Sequence, residues 1–264
     1  MLSPFEKRVN TQKPFTTPMT KAITATFLRT ASALLLFAFL QAAPAAEGEK
    51  VYLERHFGAL RAGFGTNNNE KARILSGPVA VKMLRGQSPG QTWQASLGGV
   101  PFKITTEDKL HLDATNCLRR LEQIPPGYRR AFQIVSEGKK DGVAFYQDLD
   151  GAAAHGSQDY LNLVRDADAL VIAHEAGHIL EQRATRSNPK TLDQWKTAVT
   201  EDKVSVSAYG DGATHEDLAE FAYVYAICLD AGKARLAELQ KLSPQRFQLW
   251  EKVLEVNNRR QAWD

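Results

Sequence analysis

The sequence predicts an α+β fold: a small twisted sheet, then one long helix, then a helical C-terminal half. Three observations predict it. Short apolar stretches bounded by turn residues, at 100–105, 142–146 and 160–164, have the length and alternation of strands. Leu170-Val171-Ile172-Ala173 and Ile179-Leu180 bracket a polar centre in a run long enough for a buried helix. From residue 191 onward, apolar residues recur at helical spacing, with Gly and Pro confined to the ends of each run.

Taken in order, residues 1–45 read as a secretory signal peptide. Lys21 and Arg29 precede the apolar run Ala31-Ser32-Ala33-Leu34-Leu35-Leu36-Phe37-Ala38-Phe39-Leu40, and an Ala-x-Ala site follows at Ala43 to Ala45. The run is about half of the roughly twenty residues that a membrane span needs. Export to a periplasmic or secreted location is therefore expected, with no stable membrane anchor after cleavage. Met19 would give a leader of ordinary length, which leaves residues 1–18 as an over-extended start or part of a long leader. Five of the 33 basic residues and one of the 30 acidic residues lie in 1–45, leaving 28 against 29. A chain so nearly neutral points to no nucleic-acid partner, and nothing in it calls for an oligomer.

Residues 46–99 read as an N-terminal arm or a small subdomain, with loops around Asn67-Asn68-Asn69 and a helix over 70–84 broken near Gly77-Pro78. Residues 100–264 form the main domain. Its strands are expected at 100–105, 130–136 and 142–146, with a short helix at 114–123. A further extended stretch covers 152–156 and 160–164. The long helix starts near Ala169, capped by Asp166 or Asp168. Helices follow at 191–199, at 214–230 with Thr214 as N-cap, at 233–242, and from Ser243-Pro244. Cys117 and Cys228 can close one disulfide in an oxidising compartment, or remain two buried thiols.

The chemistry concentrates at His174-Glu175-Ala176-Gly177-His178. Histidines four apart on a helix project from one face, one turn apart, and can share a Zn²⁺ ion at about 2.0–2.1 Å each. Glu175 lies about 100° round the helix, placed to act on a metal-activated water as general base rather than to ligate. A catalytic zinc takes three protein ligands. No histidine follows His178 until His215, so the third comes from His215, Glu216 or Glu220 on the 214–230 helix.

Tyr209-Gly210, followed by Glu216-Asp217-Leu218-Ala219-Glu220-Phe221-Ala222, resembles the catalytic domain of anthrax lethal factor and the Pro-Pro endopeptidases, a family of gluzincins. There the histidine pair is followed by a tyrosine and, seven residues later, by the glutamate ligand; Tyr209 and Glu216 are seven apart. The resemblance covers about residues 169–225. It implies a zincin-like domain with His174, His178 and Glu216 as zinc ligands, Glu175 as base and Tyr209 as a hydroxyl near the transition state. It also implies that Glu220 orients a ligand histidine. His215, beside Glu216, points about 100° away from it on the helix. Such enzymes bind peptide as an added strand along a sheet edge, for which Ala154 and His155 are the candidate positions. The expected function is an exported zinc endopeptidase acting on peptide or protein substrates. The alternative is a catalytically silent module of the same build that binds peptide or cell-envelope partners. A structural zinc site would instead prefer four ligands with thiolates.

Overall fold

The computed structural model describes residues 50–110 and 113–259. The leader expected at 1–45 lies outside the described residues. A six-stranded mixed sheet has the order β1-β2-β3-β4-β6-β5. Its strands are β1 (Arg73–Lys82), β2 (Pro89–Leu97), β3 (Val100–Glu107), β4 (Val143–Tyr146), β5 (Ala154–Ser157) and β6 (Tyr160–Val164). β1, β2 and β3 form an antiparallel meander, β3, β4 and β6 run parallel, and β5 returns antiparallel along β6. The helices are α1 (Leu53–His56), α2 (Ala114–Leu121), α3 (Arg130–Ile134), α4 (Ala169–Ser187), α5 (Thr191–Asp202), α6 (Thr214–Ala231), α7 (Lys233–Leu242) and α8 (Pro244–Asn258).

The α+β class and the order of sheet, long helix and helical second half match the expectation. Two local expectations do not. Residues 70–84 are not helical. Arg73–Lys82 pair antiparallel with β2, and the register shifts between Ile74 and Ser76 and between Ser76 and Val79, around Gly77-Pro78. Proline lacks the N–H that a helix interior uses, while an edge strand at an irregularity tolerates it. Residues 73–97 of that stretch thus supply the first two strands of the same sheet. Residues 130–136 are not a strand either. Ala131, Phe132, Ile134 and Val135 are all fully buried, and the first three lie on α3. Their spacing suits one face of a helical turn, and a run this short reads equally as strand.

One large core lies between the sheet and the helices. Phe102, Ile104, Phe145 and Leu163 from strands meet Phe132, Ile172, Ile179 and Phe221 from helices. A second, smaller cluster of Met83, Ala144, Tyr146 and Leu149 lies apart from it. Cys117 on α2 and Cys228 on α6 are both buried free thiols, so the disulfide does not form. Burial pushes each thiol up to about 12, which makes both inert apolar filling. Among the described residues no helix is long and apolar enough to cross a membrane.

Candidate metal centre and active site

α4 is capped by Asp168, whose carboxylate accepts from Val171 N–H at 2.9 Å. Its apolar face (Ile172, Ala173, Ala176, Ile179, Leu180) is buried, and α6 packs across it. Gly177 makes that crossing close. A Cβ there would lie 2.7 Å from Ala222 Cβ and 3.2 Å from Ala219 Cα, tighter than side chains tolerate. The close approach brings Glu216, in the first turn of α6, up to the two histidines of α4. Thr214 is the first helical residue; Ala213 takes the N-cap position without a side-chain cap.

Three ligand atoms converge. His174 Nε2 and His178 Nε2 are 3.2 Å apart, and Glu216 Oε2 is 3.4 Å from each. A tetrahedral ion with bonds of about 2.0–2.1 Å has ligand-to-ligand edges of about 3.3–3.4 Å, so the triangle has the dimensions of one face of a zinc tetrahedron. Glu216 Oε2 is buried and has no hydrogen-bond partner. A buried carboxylate oxygen in that state is costly unless a cation takes it up. Two imidazoles and one carboxylate also form a donor set suited to zinc, and these three residues fit the ion.

Without an ion the same groups hold one another by charge. Burial disfavours a charged Glu216, but the His174 and His178 imidazoles, each 3.4 Å away, keep it well below the usual carboxylate range. Burial likewise opposes a charged His174, yet Glu216 and Glu220 raise it to about 10. Glu220, one turn beyond Glu216, places Oε1 2.9 Å from His174 Nδ1. That contact fixes the ring so that Nε2 faces the triangle.

Glu175 stands beside the triangle, its carboxyl raised by burial and then by the charge of Glu216, with His174, His178 and His155 acting the other way. β5 lies directly against it. A Cβ on Gly156 would come within 2.7 Å of both Glu175 O and Glu175 Oε2, so only glycine lets the strand run this close to the carboxylate. β5 pairs with β6 on one side only and forms the terminal strand of the sheet. It carries Ala154, buried, and His155, whose Nδ1 is 3.5 Å from an Arg85 nitrogen. Arg85 in turn pairs with Asp150 at 2.9 Å.

Tyr209 also lies beside the triangle, its ring 6.3 Å from that of His174. Burial, then the charge and hydrogen bond of Glu216, push its phenol up to about 12. The turn after it packs on the start of α6: a Cβ on Gly210 would lie 2.9 Å from Asp217 Cα, and Gly210 N–H donates to Ser207 Oγ at 2.8 Å. Asp217 anchors this corner. Its carboxylate accepts from Arg246 Nε at 2.9 Å and Nη2 at 3.1 Å, and from Trp195 Nε1 at 2.8 Å. Arg246 is fully buried. His215 is half-exposed, with Nε2 3.4 Å from the second oxygen of Glu216, and is not part of the triangle.

His174, Glu175, His178, Tyr209, Glu216 and Glu220 thus come together, with Ala154 and His155 on the adjoining edge strand. Sequence reasoning missed Gly156, Gly177, Asp217 and Arg246. Only the small residues Gly177, Ala219 and Ala222 left a signal, as a match of small faces on two helices. Compared with protein-family models, with curated proteins and with solved structures, the chain matches none.

Proposed function

We propose that this protein is an exported zinc-dependent endopeptidase of zincin-like build. The observation that carries the proposal is the 3.2, 3.4 and 3.4 Å triangle of His174, His178 and Glu216, with Glu175 next to the first histidine on the helix and Tyr209 6.3 Å from it ring to ring. When bound, zinc supplies a Lewis acid that acidifies water and polarises a carbonyl. Glu175 takes the proton of the attacking water and delivers it to the departing amine, so that the C–N bond breaks as the acid product forms. Burial raises this carboxyl, the direction that suits a group that must both accept and return a proton. The Tyr209 phenol, held at about 12, stays protonated and donates to the oxyanion that develops on the substrate.

β5 offers the substrate a free strand edge alongside Glu175. A peptide added there gains main-chain hydrogen bonds, and its backbone is placed beside the reacting groups. The near-neutral mature chain agrees with a peptide substrate bound by its backbone rather than by a strong field.

The test is to express the full chain, purify the exported product, measure zinc, and screen a mixed peptide library with wild type and Glu175→Ala. Zinc in both with cleavage by wild type alone supports the peptidase. Zinc in both without cleavage by either moves the reading to a silent peptide-binding module. No zinc in wild type removes the basis of the proposal.

A further inference from the structure

The connection between β1 and β2 takes no part in the chemistry above, yet it reaches the strand at the far edge of the sheet. β1 and β5 are the two edges. Residues 83–88, which join β1 to β2, nevertheless fold across toward β5. Met83 is fully buried against Ala144, Tyr146 and Leu149 in the smaller cluster, and Leu84 N–H donates to Asp141 Oδ2 at 2.7 Å. Arg85, the next residue, meets β5. Its Nη1 lies 3.5 Å from His155 Nδ1, and its Nη2 lies 2.9 Å from Asp150 Oδ2 on the loop before β5. The Asp150 side chain is 91% exposed and that of Arg85 36%, so the guanidinium is open to solvent where this carboxylate meets it.

His155 shares the face that this loop covers. Ala144, Asn162 and His155 are partners across β4, β6 and β5 and form one row with the smaller cluster, while Gly156 turns to the other face, toward Glu175. The ladder also sets which backbone groups of β5 are open. Val164 N–H donates to Ala153 O at 3.0 Å, so residues 153, 155 and 157 turn their polar groups to β6, and Ala154 and Gly156 turn theirs outward. Gln158, next in the outward series, is already taken: its N–H donates to Gln182 Oε1 at 3.1 Å. A peptide that pairs antiparallel with Ala154 and Gly156 therefore sets one residue directly opposite His155. That pair is not hydrogen-bonded, so its Cα atoms lie about 4.5 Å apart and its side chains lie close together on one face. The face is the one that carries Arg85.

We infer that Arg85 is a specificity-determining residue, selecting peptides that carry a glutamate or aspartate opposite His155. The inference rests on the reading of β5 as the edge that receives a peptide. Asp150 occupies the guanidinium in the free protein, and a substrate carboxylate takes its place. The exchange costs little, because an exposed ion pair contributes little to stability, whereas the guanidinium offers a carboxylate charge-assisted hydrogen bonds. Removing Arg85 abolishes the selection. Removing the charge of Asp150 strengthens it, because the substrate then meets no competitor.

The experiment compares peptides that differ only by Glu or Gln at each position in turn. They are digested by the full chain as wild type, Arg85→Ala and Asp150→Asn, with kcat/KM as the readout. The same peptides are tested for retention on zinc-loaded Glu175→Ala protein. Wild type is expected to favour Glu over Gln at one position by about tenfold. Arg85→Ala is expected to lose that preference while cleaving the Gln peptides as wild type does, and Asp150→Asn to widen it. A preference that survives in Arg85→Ala would overturn the inference. So would cleavage by wild type with no preference for Glu at any position, a result that leaves the peptidase reading intact. If Arg85→Ala does not fold, Asp150→Asn decides alone, since a preference that fails to widen there contradicts the exchange of carboxylates. No cleavage by wild type, with retention that depends on Glu, removes the peptidase reading and upholds the inference. Neither cleavage nor retention overturns both.

Discussion

The two edges of the sheet are built to opposite rules. β1 is ten residues long and its side chains are almost all exposed, with Leu75 and Val79 each 60% accessible. β5 is four residues long, and Gly156 lies so close to Glu175 that no side chain fits between them. Length and β propensity mark β1; close approach marks β5. On the proposed function, the edge that matters for chemistry is β5, where Gly156 leaves the space that the Glu175 carboxylate and a peptide backbone would share.

The comparison can be broken from either edge. The largest effect is expected at the group β5 protects. Glu175→Gln keeps zinc but lowers peptide cleavage by at least about 10²- to 10⁴-fold, the range of general acid–base catalysis, read from kcat/KM. Gly156→Val comes next. Its side chain displaces the Glu175 carboxylate by about an ångström, and misplacement of that order costs about 10²-fold in kcat with zinc content unchanged. At the opposite edge, Leu75→Thr changes stability by no more than about 0.5 kcal/mol in urea unfolding and leaves cleavage unaltered, as befits a surface position.

Gly177→Ala sharpens the account at the helix crossing rather than at an edge. The added methyl must push α6 off α4, and overpacking of this kind costs about 1–3 kcal/mol. It should also weaken zinc binding, since the same crossing sets the distance between His178 and Glu216.

A bound ion would also leave a pH signature. In metal-free protein, burial works against the imidazolium of His174, but Glu216 and Glu220 raise it from its ordinary 6.5 to about 10. A group raised in this way stabilises the fold fully below pH 6.5 and loses that stabilisation as the pH rises toward 10. The melting temperature of chelator-stripped protein should therefore fall across that window. Zinc-loaded protein should not share the fall, because the ion binds the deprotonated ring.

Much of the second half was legible in the sequence. Asp168, Gly232 and Pro244 punctuate helices whose apolar periodicity is unambiguous, and the spacing from His174 to His178 requires a helix to have any meaning. The resemblance carried by the seven-residue step from Tyr209 to Glu216 implied that both lie near the histidines, though only the structure shows how Gly210 and Asp217 hold that corner. The first half was less legible. Arg73–Lys82 has a Gly-Pro step in mid-strand and no buried face, so it lacks the alternation that identifies a strand. Ala131, Phe132, Ile134 and Val135 are buried, but the run is too short for its period to separate helix from strand. Contacts between distant segments left almost no local signal. Gly156 is an ordinary loop glycine until β5 is laid against α4, and Arg246 is an ordinary charge until α8 brings it to Asp217.

The central claim is that His174, His178 and Glu216 together hold one ion. The most direct test is zinc per chain after equilibrium dialysis against a mild chelator, for wild type, Glu216→Ala and Tyr209→Phe. The account predicts about one zinc in wild type and in Tyr209→Phe, and loss of it from Glu216→Ala, since a catalytic site needs three protein ligands. Full zinc in Glu216→Ala, or none in wild type, would contradict it.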